Sequence, residues 1–139
     1  MIVLDTNVIS ALMQRKAEPR IVAWLDDQPA ESVWTTAISV FEVRFGLELL
    51  SQGRKRRQLE DAFRLALTED FEGRVLPFDQ TAAEAAGAIA ARRRCNGRPI
   101  EIRDVQIAGI VAARKARLAT RNTRHFEALG LIIVDPWSA

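Results

Sequence analysis

The sequence is poor in the residues that staple or metallate small domains. Cys95 is the only cysteine and His125 the only histidine. An internal disulfide is therefore excluded, which suits a reducing, cytoplasmic location, and a zinc site built from cysteine and histidine is excluded with it. No apolar run approaches the ~20 residues that span a bilayer. The longest, Val105 to Ala113, is broken by Gln106. Asp5 interrupts the apolar start almost at once, so the first residues do not read as a secretory signal. Internal repeats, low-complexity segments and a credible interdomain linker are also missing. What is there is an ordinary globular balance of 139 residues, 48% hydrophobic and 27% charged. That is enough for one domain, residues 1–139, and too little for two.

Short apolar runs alternate with longer helical patterns. Strands are predicted at Met1–Leu4, Ser32–Thr36, Arg74–Phe78, Leu118–Thr120 and Leu131–Val134, where β-branched and aliphatic residues concentrate. Helices are predicted at Arg20–Asp27 after Pro19, Ala37–Leu50, Arg54–Phe71 after Gly53, from Asp79 as N-cap through Arg94, and Glu101–Ala116. Helices between strands are crossover connections, and crossovers imply a sheet whose strands run parallel and are covered on both faces. The expected fold is an α/β, three-layer α/β/α sandwich with a mostly parallel sheet of about five strands.

The net charge of +2 says less than its layout. Basic residues gather at Arg54–Arg57, at Arg92, Arg93, Arg94 and Arg98, and at Arg114, Lys115, Arg117, Arg121 and Arg124. Such clusters suit a polyanion, or equally a solvated helix face paired with Glu60, Asp61 or Glu84. Three acids sit where acids are unexpected. Asp5 follows the first strand, where open parallel sheets bind ligands, although an Asp there also caps helices. Glu42 lies on a helix apolar around most of its circumference and hence expected to be largely buried. It shares a narrow strip with Ser39 and Gly46, so it either has a salt-bridge partner or faces a cleft. Asp104 follows the stripe of Ile100, Ile107, Ala108 and Val111, with Arg103, Gln106 and Arg114 on the expected solvated face; the helix dipole alone would also favour an acid there. Three carboxylates without histidine suit a hard cation, Mg²⁺ or Mn²⁺.

Four motifs then occur in order: IVLDTNVIS (2–10), SVFEVRFG (39–46), IRDVQIAGIVA (102–112) and LATRNTRHF (118–126), closed by DPW (135–137). Together they span nearly the whole chain, and the set resembles the PIN-domain ribonucleases, specifically VapC-type toxins of the FitB-like branch. The resemblance implies a metal-dependent endoribonuclease, cleaving tRNA or rRNA, with Asp5, Glu42 and Asp104 as metal-binding catalytic carboxylates. It makes Thr6 and Thr120 supporting groups and Asn122 a catalytic position where the family often has a fourth acid. That departure disfavours two metals, unless Glu101 or Asp79 compensates. Arg92, Arg93, Arg121 and Arg124 are the expected RNA-binding side chains, and a cognate antitoxin and a homodimer the expected partners, with no membrane. A housekeeping RNA-processing nuclease would share this chemistry, and a non-catalytic binding module would use the acids to dock arginines. A phosphatase of the haloacid-dehalogenase type would want a second Asp where this chain has Asn7.

Overall fold

Five short aliphatic and β-branched runs form one sheet, and most of the chain between them is helical. The computed structural model describes residues 1–139. The elements are β1 (Ile2–Leu4), α1 (Thr6–Leu12), α2 (Pro19–Asp26), β2 (Val33–Thr36), α3 (Ala37–Leu49), α4 (Arg54–Leu65), β3 (Val75–Leu76), α5 (Gln80–Cys95), α6 (Ile102–Ala113), β4 (Arg117–Ala119), α7 (Thr123–Glu127) and β5 (Ile132–Val134). A 3₁₀ turn at Ala30–Ser32 leads into β2, and a π turn at Ala66–Asp70 extends α4.

All strand pairs are parallel, in the order β3-β2-β1-β4-β5. A crossover returns the chain to the same end of the sheet before each new strand, which is what the alternating pattern predicted. β1 shows how the three layers hold together. Ile2 and Leu4 point to one face, with Ile21, Val43 and Phe63, while Val3 points to the other, with Ile107, Leu118 and Phe126. This period-two alternation lets three residues serve two cores. The order also reverses at β1: the chain builds outward to β2 and β3, then crosses back to β4. The crevice beyond the carboxyl ends of β1 and β4 is therefore the topological switch point, where open α/β sheets bind ligands. Asp5 and Thr120 follow those two strands directly.

Several expectations need correction. α3 is not largely buried: Ser39, Val43 and Leu47 face inward, but Phe41, Phe45 and Leu49 are 54%, 49% and 72% exposed. The Phe41 and Phe45 rings stack on each other at 6.0 Å. Composition alone cannot separate a buried helix face from an apolar face left at the surface. The basic cluster at residues 54–57 is divided. Arg56 is buried in an ion-pair network with Glu48 (2.7 Å) and Glu60 (3.4 Å), which also takes in Arg44, so it is not available to a polyanion. The helix predicted to reach Ala116 ends at Ala113, because Lys115 takes a left-handed φ of 52° that no helix continues through. Helices α1 and α7, seven and five residues long, are too short for periodicity to reveal.

Candidate active site

The switch point collects side chains from four segments. Asp5 caps α1, accepting from the Thr6 N–H at 2.8 Å. Its other carboxylate oxygen accepts from the Thr120 hydroxyl at 2.8 Å and from Asn7 Nδ2 at 3.4 Å. Thr6 reaches onward: its hydroxyl donates to Glu42 Oε1 at 2.8 Å and lies 2.9 Å from Ser39 Oγ. One threonine therefore couples Asp5 to Glu42, with its backbone on the first and its side chain on the second. Thr36 orients this end of α3 by accepting from the Ser39 N–H.

Asp104 enters from the first turn of α6 and is held by His125, whose Nε2 lies 3.1 Å from Asp104 Oδ2. Beside it opens a polar cleft of about 560 Å³, lined by Asp104, Arg121, Asn122, Thr123, Arg124 and His125. Asn122 begins α7, and its N–H donates to the Thr120 hydroxyl at 3.1 Å. Arg121 stacks its guanidinium 4.9 Å from the ring centroid of Trp137, which gives the closing DPW segment a positioning role. A partly open cavity of about 280 Å³ between α1, α2 and α4 is lined mainly by apolar side chains. Asp26, Glu69 and Asp70 also line it, but away from the strand ends; the polar cleft is the reactive candidate because it lies at the switch point, where Asn122 ties it to Thr120 and Asp5.

The electrostatics single out Asp5. Burial pushes its pKa up to about 6, partly opposed by the hydrogen bonds from Thr120 and Thr6, and the charges of Asp104 and Glu42 push it further up. Its hydrogen-bond partners are all neutral. Asp104 is also raised, first by burial, and the neighbouring His125 opposes this. Carboxylates that repel one another in this way are the kind of group that would favour a hard metal ion. The side chains do not bring three of these acids, or any three of the histidine, cysteine and acidic residues, together as a formed set of metal ligands. Mg²⁺, which keeps much of its water, would need only one or two carboxylates as direct ligands.

Asp5, Glu42, Thr6 and Thr120 are thus joined by hydrogen bonds, and Asp104 and Asn122 share the adjoining cleft. Of the four arginines expected to hold RNA, Arg121 and Arg124 line the cleft. Arg92 instead lines an apolar groove with Ile89, Val111 and Ile132, and Arg93 is half-buried on α5 away from the cleft lining. Asp79 caps α5 and pairs with Arg114, so it does not supply a fourth acid. Three contributors went unforeseen. Asn7 bridges Asp5, Thr120 and the Arg121 N–H; His125 could have been found as the only histidine, inside a singled-out motif. Arg103, expected on a solvated face, leans towards Glu42 at 3.8 Å.

An all-parallel α/β/α domain with a carboxylate cluster at its switch point belongs to the class of α/β proteins that work on ligands at the strand ends. Residues 2–130 match the PIN domain family, and the chain belongs to that family, among the VapC and FitB toxins. It is 39% identical over 137 residues to the VapC ribonuclease Y4jK of Sinorhizobium fredii, covering 99% of this chain and 98% of the relative. To the toxin FitB of Neisseria gonorrhoeae it is 36% identical over 137 residues, covering 99% of each. Among solved structures, that of FitAcB from Neisseria gonorrhoeae superposes with a TM-score of 0.89 at 36% identity, covering 100% of both chains. No helix is long and apolar enough to cross a membrane.

Proposed function

We propose that the protein is a Mg²⁺- or Mn²⁺-dependent endoribonuclease, the toxin of a toxin–antitoxin pair, hydrolysing phosphodiesters of tRNA or rRNA. The observation that carries this reading is Asp5: a buried carboxylate whose hydrogen-bond donors are all neutral and whose pKa the charges of Asp104 and Glu42 help to raise. Asp5, Glu42 and Asp104 would hold the ion, and Asn122, with no charge to add, favours one ion over two. When bound, the cation supplies Lewis-acid polarisation of the phosphate and of the attacking water. Thr120 and Thr6 keep the carboxylates in one orientation, His125 does so for Asp104, and Asn122 positions water or substrate in the cleft. Arg121 and Arg124 hold flanking phosphates without reading sequence. The ribonuclease and toxin names of the relatives support the same chemistry.

The exposed stripe of Phe41, Phe45 and Leu49, with Leu65 of α4 also exposed, offers the apolar surface that an antitoxin would cover. The working form is a homodimer held inactive by that partner. The test is cleavage of a mixed tRNA and rRNA pool by antitoxin-free protein in Mg²⁺ or Mn²⁺, beside EDTA and Asp5→Asn reactions. Discrete fragments that vanish in both controls are expected. Fragments that persist with Asp5→Asn would overturn the site, and a folded protein that cuts nothing would favour a binding module. Growth arrest on induced expression, relieved by a neighbouring small gene, separates a toxin from a housekeeping nuclease.

A further inference from the structure

Arg103 is the one arginine or lysine in ion-pair contact with any of the three carboxylates, and its setting is unusual. The Glu101 carboxylate caps α6, accepting from the N–H groups of Arg103 (2.8 Å) and Asp104 (3.3 Å). The same carboxylate accepts from Arg103 Nε at 3.1 Å. The guanidinium is therefore anchored through Nε, while Nη1 leans over the acid cluster, 3.8 Å from Glu42 Oε2. That distance is loose for an ion pair, and the Arg103 side chain is 37% exposed, so its outer end can turn. Glu42 has a closer partner in the Thr6 hydroxyl at 2.8 Å. The contact is therefore not needed to hold Glu42 in place.

We propose that Arg103 is a phosphate-gripping catalytic residue, with Glu101 as its positioning residue. Its two Nη groups, free of Glu101, would take the non-bridging oxygens of the RNA phosphate beside the carboxylates. Asp5, Glu42 and Asp104 would hold a divalent cation whose charge would disfavour the Arg103–Glu42 contact, and Arg103 would turn to an incoming phosphate. A planar fork fixed at Nε is already shaped for two parallel N–H···O bonds, which a lysine cannot supply. No bond to Arg103 forms or breaks; it balances charge that builds on the phosphate. This rests on the nuclease reading above.

The test combines Mn²⁺ calorimetry with cleavage kinetics for wild type, Arg103→Gln and Arg103→Lys. Arg103→Gln should lower kcat/KM by about 100-fold, the usual scale for losing one donor to a developing oxyanion. It should leave Mn²⁺ binding unchanged or tighten it by up to about tenfold, because a nearby positive charge has gone. Arg103→Lys should recover part of the activity and fall short of wild type. A merely structural arginine would weaken metal binding and cleavage together, and that parallel loss would overturn the proposal. So would an Arg103→Gln protein that cleaves like wild type, or, should that variant fold poorly, an Arg103→Lys protein with full activity. A wild type that neither binds Mn²⁺ nor cleaves would bring down the nuclease reading, and Arg103's role with it. Loss of activity confined to the variants keeps the two questions apart.

Discussion

Replacing Asp5 with asparagine should stabilise the metal-free protein at neutral pH while abolishing cleavage. Asp5 is 4% exposed, and burial lifts its pKa from an ordinary 3.8 to about 6. The folded pKa thus lies above the unfolded one, so the native state holds the proton more tightly. The stability this contributes is fully present below the unfolded value of 3.8 and is lost as pH rises through about 6. At about 1.4 kcal/mol per pH unit, the interval amounts to about 3 kcal/mol. Asparagine has no charge to desolvate. It keeps an acceptor for the Thr6 N–H but weakens the contact with Thr120, which offsets about 1 kcal/mol. A net gain of about 2 kcal/mol above neutral pH is expected. Urea denaturation in EDTA at about pH 4 and about pH 8 measures it. The advantage of Asp5→Asn should be present at the higher pH and gone at the lower. Greater stability of the wild type at both pH values, or a difference that does not change with pH, would refute the reasoning. Excess Mn²⁺ should reverse the order at the higher pH, because only the wild type gains from binding.

Thr120→Val removes the buried hydroxyl that donates to Asp5 at 2.8 Å. It should raise the Asp5 pKa above its wild-type value, read by NMR titration in EDTA, and cost about 1–2 kcal/mol of stability. Gly109→Ala places a Cβ 2.5 Å from the Ala82 carbonyl oxygen and 2.6 Å from Ala86 Cβ, where α5 crosses α6. Because the first obstacle is backbone, the helices must separate, and calorimetric unfolding should show a loss of about 1–3 kcal/mol. Asn122→Asp adds a fourth acid to the cleft lined by Asp104. It should raise the Mn²⁺ stoichiometry from one to two by calorimetry; an unchanged stoichiometry would show that residue 122 does not govern metal number.

The layers of this fold were legible because each strand is an apolar run bounded by a capping or turn residue. Asp79 announced the start of α5, and Pro19 that of α2. Boundaries were less legible: the left-handed Lys115 that ends α6 is set by the turn into β4 and leaves no mark on periodicity. Asp5, Glu42 and Asp104 each stood out as an acid against an apolar pattern. How near they lie to one another depends on the strand order, which a sequence read element by element does not contain. Arg103 and Phe41 show where patterning fails. A polar residue on a solvated face can still reach inward with a long side chain, and an apolar helix face can be built to stay outside. Arg56 fails in the opposite sense, a cationic cluster member spent on an internal ion pair.

Asp5, Glu42 and Asp104 are proposed to form one divalent-cation site. Titration calorimetry of Mn²⁺ into the metal-free protein, repeated with Asp104→Asn, tests it most directly. Binding at a stoichiometry near one is expected in the wild type, with a marked loss of affinity in a variant that unfolds like the wild type. Absence of binding, or equal binding by both proteins, would contradict it.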